Sequence, residues 1–472
     1  MSALAAREAP QDSLAEAMDA LPLGRLHYTL FALICLGFIF ETVELIMTSV
    51  FGTIFTPQVK TGAVTAMEVS MLLGSAGVGA MLGSPLMGGL ADRWGRQRII
   101  SAAMVLVGLF SLLGALTSSI DALIVTRVFA SVGIGCFVPL AITFLSEMFP
   151  ARVRGRAVAA TTLVAGVGGG LSGLLTATFG TLQPFGLEGW RCTMIVGAIG
   201  SFAVAALILS LLPESPRWLF AQGRRAEAEA SFRRLAGLTP GQPVPDFGAL
   251  DAQAKRAAAA DPSGEEGWTT ERRLMLAFFL LLAVVLPWSL TTFPMLSGAI
   301  FTQRGYDTEQ ALLLHSAVVM GVSAGSILNF LVVDRIARDK LLICIALFAV
   351  LSTVLFGISS SPVVAIVAGL GIVAGVSSYQ QTLLLYCAEQ FPPLLRAKVP
   401  GLCFGVSRGL ATIVPLVMLP LLLRAGEGPV LVVIGSSMLI SALLLLTRRL
   451  RRSPVRGADG LPMSREAAAA AE

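Results

Sequence analysis

The chain has 472 residues, of which 55% are hydrophobic and only 13% are charged, and its mean hydropathy is +0.80. Soluble domains carry roughly 25% charged residues, so this composition excludes a soluble protein and makes lipid the solvent for much of the chain. The net charge of +5 needs no nucleic-acid partner, because basic loops of a membrane protein account for it. Two histidines exclude a multi-histidine metal site.

The predicted elements begin after an acidic N-terminal segment, 1–20, which lacks an apolar core and is not predicted to be a signal peptide. Apolar runs of roughly 20 residues then follow, each long enough to cross a bilayer. An all-α protein of twelve transmembrane helices in two six-helix bundles is predicted. We number these spans 1 to 12, at 26–50, 67–90, 98–118, 121–145, 156–180, 191–212, 274–300, 309–333, 341–360, 362–388, 398–423 and 428–447.

The distribution of basic residues predicts the orientation. With both termini in the cytoplasm, 28 of the 34 lysines and arginines fall in cytoplasmic loops and tails, as the positive-inside rule requires. The predicted domains are an N-terminal bundle at 1–212, a cytoplasmic central loop at 213–272 with a short helix at 222–230, a C-terminal bundle at 273–447 and a disordered tail at 448–472.

Two motifs recur at a constant spacing. Loop 2–3 contains Asp92-Arg93-Trp94-Gly95-Arg96 and loop 8–9 contains Asp334-Arg335-Ile336-Ala337-Arg338, so that the two aspartates lie 242 residues apart. Glu147 and Glu389 are also 242 residues apart, and each is followed by Phe-Pro and then by an arginine. Two independent motifs at one offset indicate a duplicated six-helix unit.

The pattern G-x-x-x-D-R-x-G-R that ends at Arg96, its echo in the second half and the twelve-span duplication resemble the major facilitator superfamily of transporters. The resemblance covers nearly the whole chain. The motifs Glu147-x-Phe-Pro-x-x-x-Arg154-Gly155 and Pro213-Glu-Ser-Pro-Arg-Trp-Leu219 are similar to one branch of it. That branch holds sugar porters, aromatic-acid symporters, niacin-type carriers, organic-ion transporters and synaptic-vesicle-type transporters.

The resemblance implies a cytoplasmic gate, in which an aspartate meets the positive end of a helix dipole and nearby arginines pair with the glutamate that ends span 4. Alternatively, these charges only fix topology, to which acidic residues contribute little. Ala337 replaces the motif glycine, so the second loop is expected to be less tight. The predicted gate residues are Asp92, Arg93, Gly95, Arg96, Glu147 and Arg154, with Asp334, Arg335, Arg338, Glu389 and Arg396 in the second half.

Four ionisable residues lie well inside spans, where charges usually face the bundle interior and mark a pathway. At about 1.5 Å per residue, Glu44 of span 1 and Arg127 of span 4 both lie about 9 Å from the outer surface, which predicts that they pair. Such a pair could be a proton switch, with Glu41 on the same helix face, or only a structural salt bridge. The fourth residue, Arg408 in span 11, could bind a substrate carboxylate through its forked guanidinium or pair with a span 1 glutamate.

Polar side chains at membrane depth normally face inward, where they could contact substrate or bond a neighbouring helix. They are Trp288, Asn329, Tyr379, Gln380 and Gln381, and His315 is a weaker candidate. Span 5 carries a glycine stripe, which predicts close helix packing. The six cysteines are interpreted as small core residues without disulfides.

The preferred function is proton-coupled uptake of a small organic anion, such as an aromatic or nicotinate-like carboxylate, through the bacterial inner membrane by alternating access. A sugar or polyol symporter, a drug or metabolite efflux carrier and a non-transporting receptor remain alternatives. No nucleophile–base set indicates an enzyme. A monomer without a cofactor is expected.

Overall fold

The computed structural model describes residues 14–239, 242, 244, 269–333, 335–391 and 398–452. In this part of the chain, twelve helical segments are long and apolar enough to cross a membrane, which confirms the predicted spans. In the first half they are Arg25–Lys60, Ala66–Trp94, Arg96–Leu116, Ile120–Met148, Ala151–Leu182 and Gly189–Leu211. Most of the predicted central-loop linker and disordered tail, together with Asp334 and Arg396, lie outside the described residues.

Three spans of the second half consist of consecutive helices. Proline lacks a backbone N–H and therefore starts a new helix more readily than it continues one, which accounts for the breaks near Pro287 in span 7 and Pro415 in span 11. Spans 7 to 12 comprise Thr270–Val285, Pro287–Leu290 and Thr292–Gln303, then Thr308–Val319 and Gly321–Val332, then Arg338–Ile358, Pro362–Glu389, Lys398–Ala411 with Val414–Ala425, and Glu427–Arg452.

Each half has its own buried apolar core, while the outward surface is also apolar. Ile199, Leu351 and Val432 are 63%, 67% and 68% exposed. In water such surfaces would mark interaction sites or aggregation hazards. In a membrane these apolar surfaces would contact apolar lipid chains, and the helices satisfy their own backbone hydrogen bonds.

The halves contact each other through span 1 with span 7, span 2 with span 11, and span 5 with span 8. The predicted close packing of span 5 is confirmed. A side-chain carbon on Gly168 would overlap the backbone of Ile39 in span 1, and carbons on Gly166 and Gly173 would overlap Ser323 and Ser316 in span 8. Glycine thus lets one helix approach both halves closely.

Three short helices lie at one end of the bundle, where loop 2–3 and loop 4–5 also lie; we call this end the motif face. They are Leu14–Asp19, Pro216–Ala221 and Arg225–Ala236. The last corresponds to the helix predicted at 222–230, but it begins later because Gly223 adopts a positive φ of 74°. Buried apolar residues of all three helices belong to the core of the first half.

Candidate functional site

Glu44 and Arg127 form an ion pair between spans 1 and 4, as their matched depths predicted. Arg127 Nη1 lies 2.9 Å from Glu44 Oε2, and Nη2 donates a second hydrogen bond to the backbone carbonyl oxygen of Glu44. Both side chains are fully buried. A buried charge is tolerated only when it is paired and hydrogen-bonded, so each residue depends on the other.

The pocket around this pair leaves hydrogen-bonding capacity unused. A side-chain carbon on Gly197 of span 6 would overlap Glu44 Oε1, so glycine makes room for the carboxylate. The ring centroid of Phe51 lies 5.7 Å from the guanidinium carbon of Arg127. Arg127 Nε has no hydrogen-bond partner among the described residues, and the hydroxyl of Ser111 in span 3 acts on the Glu44 carboxylate. A proton on Oε1 would leave the bond to Oε2 in place.

Glu41 lies one turn before Glu44 but engages the opposite half. Its side chain is 2% exposed, and Thr42 Oγ1 donates a hydrogen bond to Glu41 Oε2 at 3.0 Å. The cation that acts on it electrostatically is Arg408 of span 11. No salt bridge shorter than 4.0 Å involves Arg408 in the described part of the chain. Its guanidinium carbon lies 5.0 Å from the centroid of the Phe404 ring.

A small cavity of about 20 Å³, room for roughly one water molecule, lies beside Arg408 between spans 7, 10 and 11. Phe404 lines this cavity and also supports the guanidinium of Arg408, so the charge and the cavity share one aromatic ring. Most of the wall is apolar, and the amide and hydroxyl of the wall belong to Gln380 and Ser407. The other lining residues are Phe279, Ala283, Leu286, Leu383, Leu384, Cys387 and Cys403.

Of the polar residues predicted to face inward, Gln380 lines this cavity and Tyr379 does not. Tyr379 is fully buried in the core of the second half, with its hydroxyl directed at Ser441 of span 12. Trp288 is partly buried against the same core. Successive residues of a helix point in different directions, which separates Tyr379 from Gln380.

Asn329 and Gln381 take part in hydrogen bonds between spans 8 and 10. Bonding to a neighbouring helix was the alternative to substrate contact for these side chains. Gln381 Nε2 donates to Ser326 Oγ at 3.0 Å, and Thr382 Oγ1 donates to Asn329 Oδ1 at 2.9 Å. Asn329 Nδ2 lies 3.5 Å from Gln381 Oε1. Their hydrogen-bonding groups are therefore largely occupied by neighbouring helices.

The first copy of the predicted gate centres on Arg96. Its Nη1 lies 2.8 Å from Asp92 Oδ1, its Nε lies 3.3 Å from Glu147 Oε1, and it also donates to the carbonyl of Ala91. The predicted pairing of an arginine with the glutamate ending span 4 is confirmed. Arg93 is exposed. The charges therefore join the ends of spans 2 and 4 to the start of span 3.

The predicted role of Asp92 at a helix N-terminus is wrong. Asp92 lies near the C-terminal end of span 2, and its side chain is 71% exposed. Glu214, from the Pro-Glu-Ser-Pro motif, occupies the N-terminus of span 3 instead. Its Oε1 accepts hydrogen bonds from the backbone N–H groups of Arg96 at 2.9 Å and Gln97 at 3.2 Å. A remote loop therefore supplies the negative charge that this helix end favours.

Gly95 and the burial of Glu214 shape this cap. Gly95 has a φ of 104°, and a side-chain carbon there would overlap Glu214 Oε2, so the motif requires glycine on two grounds. Burial raises the pKa of Glu214, while backbone hydrogen bonds lower it and the charge of Glu147 adds to the increase. Trp218 also contacts this loop, because its indole N–H donates a hydrogen bond to the carbonyl oxygen of Asp92 at 3.0 Å.

Arg154 belongs to a second charge cluster, which the sequence did not predict. Asp19 Oδ1 accepts a hydrogen bond from the backbone N–H of Ala151 at 3.0 Å, at the start of span 5. The same carboxylate lies 2.8 Å from Arg154 Nη2 and 3.3 Å from Arg217 Nη2. Asp19 thus ties the short N-terminal helix to span 5 and to the Pro-Glu-Ser-Pro segment.

The second copy of the gate repeats one contact of the first. Arg338 Nε lies 3.2 Å from Glu389 Oε1, which matches the Arg96–Glu147 pair in the other half. Arg335 is exposed at the end of span 8. Ala337 has an ordinary negative φ of −55°, so the position that corresponds to Gly95 is not left-handed in the second loop.

On the face opposite the motif face, contacts join the two halves. Thr181 Oγ1 donates to Glu309 Oε1 at 2.8 Å, joining span 5 to span 8. A side-chain carbon on Gly298 of span 7 would overlap Thr53 of span 1. Within the second half, His315 Nδ1 of span 8 lies 2.7 Å from Ser297 Oγ of span 7.

Comparison with known proteins gives consistent results. The family model described as sugar (and other) transporter matches residues 36–448. The chain is 23% identical to the putative metabolite transport protein YyaJ of Bacillus subtilis, over 93% of this chain and 95% of that protein. It is 25% identical to the niacin transporter NiaP of Acinetobacter baylyi, over 84% and 87%. A partially occluded inward-open structure of the xylose transporter XylE from E. coli superposes with a TM-score of 0.70 at 17% identity, covering 89% and 99%.

Proposed function

The chain belongs to the sugar (and other) transporter family of the major facilitator superfamily, and from that premise we propose that it is a proton-coupled carrier for a small organic anion. The preferred substrate is an aromatic or nicotinate-like monocarboxylate. The protein is a multi-pass membrane transporter. We propose the identity of the substrate, its coupling to a proton and the direction of transport.

The observation that carries the proposal is the relation between Glu41 and Arg408. Glu41 in the first half is the acid that acts electrostatically on Arg408 in the second half, yet no salt bridge within 4.0 Å involves Arg408 in the described chain. A carboxylate placed at Arg408 would gain a bidentate, charge-assisted contact. Because Glu44 and Arg127 already neutralise each other, Arg408 is the cation that remains to attract an anion.

The side chains around the small cavity beside Arg408, which must widen to admit any substrate, favour an aromatic body over a sugar. Its wall offers one amide and one hydroxyl and is otherwise built of apolar side chains and two thiols. Each sugar hydroxyl buried without a partner would cost roughly 1–3 kcal/mol. A flat ring would instead bury apolar area against Phe279 and Phe404. The name of the NiaP relative, a niacin transporter, agrees with this choice.

A sugar or polyol symporter is the second candidate, because the family model and the XylE neighbour carry sugar names. Sugar porters usually carry paired glutamines in span 7. Here that region reads Leu286-Pro287-Trp288-Ser289-Leu290. Gln380 of span 10 is the amide left to orient a hydroxyl in the cavity, since Gln381 is engaged with Ser326.

In the proposed cycle, Glu44 carries the proton and Arg127 holds the site in both protonation states. The gate residues of the motif face open and close the cytoplasmic side, and contacts between the halves such as Thr181–Glu309 open and close the opposite side. An orientation with both termini in the cytoplasm of a bacterial cell would then make uptake end at the motif face. No cofactor is proposed.

The experiment is thermal unfolding of the detergent-purified protein with nicotinate, benzoate, short aliphatic acids, xylose, inositol and organic cations. A ligand that binds the native state raises its stability by mass action, by about 2.7 kcal/mol at one hundred times Kd. Stabilisation by aromatic carboxylates alone, followed by uptake of the same acid driven by a pH gradient, supports the proposal. Stabilisation by sugars alone would contradict the proposal and support a sugar or polyol symporter.

A further inference from the structure

A second cavity, separate from the one beside Arg408, lies where the two halves meet. Its volume is about 240 Å³, which exceeds the roughly 150 Å³ of an engineered apolar cavity that admits benzene. Spans 2 and 4 of the first half and span 11 of the second half form its walls, and we call it the seam pocket. The lining residues are Met71, Gly74, Ser75, Val78, Ile124, Val128, Thr412 and Leu416.

The seam pocket opens on the lipid-facing side of the molecule. Met71 and Leu416 at its rim are 49% and 39% exposed. Leu73, two residues further along span 2, is buried and faces Gly52 of span 1. At about 1.5 Å per residue, Met71 lies about 8 Å and Val78 about 18 Å from the end of span 2 that is opposite the motif face. The seam pocket is therefore at the depth of the acyl chains in that leaflet of a bilayer.

The walls of the seam pocket suit a hydrocarbon chain better than a polar ligand. None of the lining residues is ionisable. The hydroxyl of Ser75 already donates a hydrogen bond to the carbonyl oxygen of Leu72 at 2.6 Å. The hydroxyl of Thr412 is directed at Gly77, where a side-chain carbon would overlap it. A polar group that entered this space would lose its bonds to water without gaining partners, and this is unfavourable.

The break in span 11 forms one wall of the seam pocket. Span 11 passes from its first helix to its second at Thr412 and Ile413. The backbone N–H of Thr412 donates to the carbonyl oxygen of Gly409, three residues back, as in a 3₁₀ turn. Gly74 and Gly77 of span 2 lie against Thr412, because a side-chain carbon on either glycine would overlap it. The break therefore lies where the two halves touch.

We propose that the seam pocket binds one acyl chain of a phospholipid from the leaflet opposite the motif face. The chain spans a membrane, so the bilayer presents hydrocarbon to the open side of the pocket at the depth of the pocket itself. The bound acyl chain contacts both halves and lies against the break in span 11, about one helical turn from Arg408. It therefore stabilises the arrangement in which spans 2 and 11 are in contact.

The test maps lipid contacts on the full-length protein in vesicles. The vesicles are phosphatidylcholine with a small share of a phosphatidylcholine that carries a diazirine at the middle of one acyl chain. Irradiation attaches this chain to the residues that it touches, and peptide mass spectrometry locates the attachment. We expect labelling at 71–78, 124–128 and 412–416 to exceed severalfold the labelling at Leu351 and Val432, which are exposed apolar residues outside the seam pocket. Equal labelling at all of these places would overturn the proposal.

Val128→Phe fills the seam pocket, and Val125→Phe is its matched control. The control makes the same change three residues earlier in span 4, where Val125 is exposed and does not line the pocket. Labelling at 412–416 should fall severalfold in Val128→Phe and stay unchanged in Val125→Phe. If Val128→Phe does not fold, Met71→Trp takes its place, because it narrows the rim at an exposed position. Undiminished labelling in the filling variant, or an equal loss in the control, would contradict the proposal.

Thermal unfolding provides a second measurement, because a ligand of the native state raises its stability by mass action. Phosphatidylcholine added to the delipidated protein in detergent should raise the Tm of the native chain and of Val125→Phe more than that of Val128→Phe. An equal rise in all three would mean that lipid acts on the general surface. Loss of labelling in the seam pocket, relative to Leu351 and Val432, as the protein-to-lipid ratio rises would assign the pocket to a second copy of the chain. Either result would refute the acyl-chain site, and neither depends on the transported substrate.

Discussion

Arg127 holds Glu44 at two points, the carboxylate and the backbone carbonyl of the same residue. The second bond does not depend on the charge of the carboxylate, so protonation of Glu44 would weaken the pair without releasing the arginine. Glu44 Oε1, to which Arg127 donates no hydrogen bond in the described structure, is the atom left to carry a proton. This geometry separates the structural role of the pair from its proposed role in coupling.

Glu44→Gln should abolish accumulation driven by a pH gradient and preserve exchange of substrate at equal pH. Glutamine keeps the shape and the backbone bond to Arg127 but cannot take up a proton. The measurement is uptake into proteoliposomes with and without a gradient, alongside counterflow with substrate on both sides. Accumulation that persists in the variant would remove Glu44 from coupling.

Glu44→Ala is the matched structural comparison for that experiment. It leaves Arg127 buried without its partner, and breaking a buried pair costs about 3–5 kcal/mol. We therefore expect a clear fall in thermal stability for alanine and a smaller one for glutamine. Equal stability of both variants would mean that water enters the pocket and solvates Arg127.

The stability of the protein should depend on pH through Glu214. Since burial raises its folded-state pKa, its contribution is complete below the unfolded value, about 4.3, and is lost as pH rises through the folded-state pKa. The stability of the native chain relative to Glu214→Gln should therefore fall with rising pH above that point. The measurement is thermal unfolding of both proteins across pH. If the native chain instead became more stable relative to Glu214→Gln as pH rose, the folded-state pKa of Glu214 would be lowered and not raised.

The spans and the Glu44–Arg127 pair followed from the sequence because both rest on regular helix geometry. A rise of about 1.5 Å per residue converts residue numbers to depth, and a buried arginine needs an acid at its own depth. The offset of 242 residues likewise predicted that Arg338 and Glu389 would repeat Arg96 and Glu147, which the structure confirms for this contact.

Glu214 and Asp19 were missed for a physical reason. Each caps a helix that lies far away in the chain, at separations of 118 residues from Arg96 and 132 residues from Ala151. Local capping patterns look only a few residues ahead, so a cap supplied by a distant loop has no sequence signature. The direction of Tyr379 was equally hidden, because the polar residues 377–382 of span 10 are consecutive and lie on all sides of the helix, so that no single polar face indicates its rotation.

Asp19→Ala should loosen the N-terminal helix from the motif face. The substitution removes a cap worth about 1 kcal/mol and the shared partner of Arg154 and Arg217. We expect lower thermal stability and faster proteolysis near residue 20. Asp19→Asn keeps an amide oxygen for the cap and should lose less. An equal effect of Asp19→Asn and Asp19→Ala would mean that the charge of Asp19, and not the cap, is responsible.

Substitutions of Glu41 and of Arg408 should change the affinity for the anion in opposite directions. Arg408→Ala removes a charged hydrogen-bond partner of the substrate carboxylate, worth about 1.5–3 kcal/mol, so the affinity for the anion should fall tenfold or more. Arg408→Lys should recover part of it, since lysine keeps the charge and loses the fork. Glu41→Gln removes the carboxylate that competes for Arg408 and should tighten anion binding. Calorimetry on the purified protein measures all three. If Glu41→Gln weakens binding as much as Arg408→Ala does, then Glu41 orients Arg408 and does not compete with the substrate.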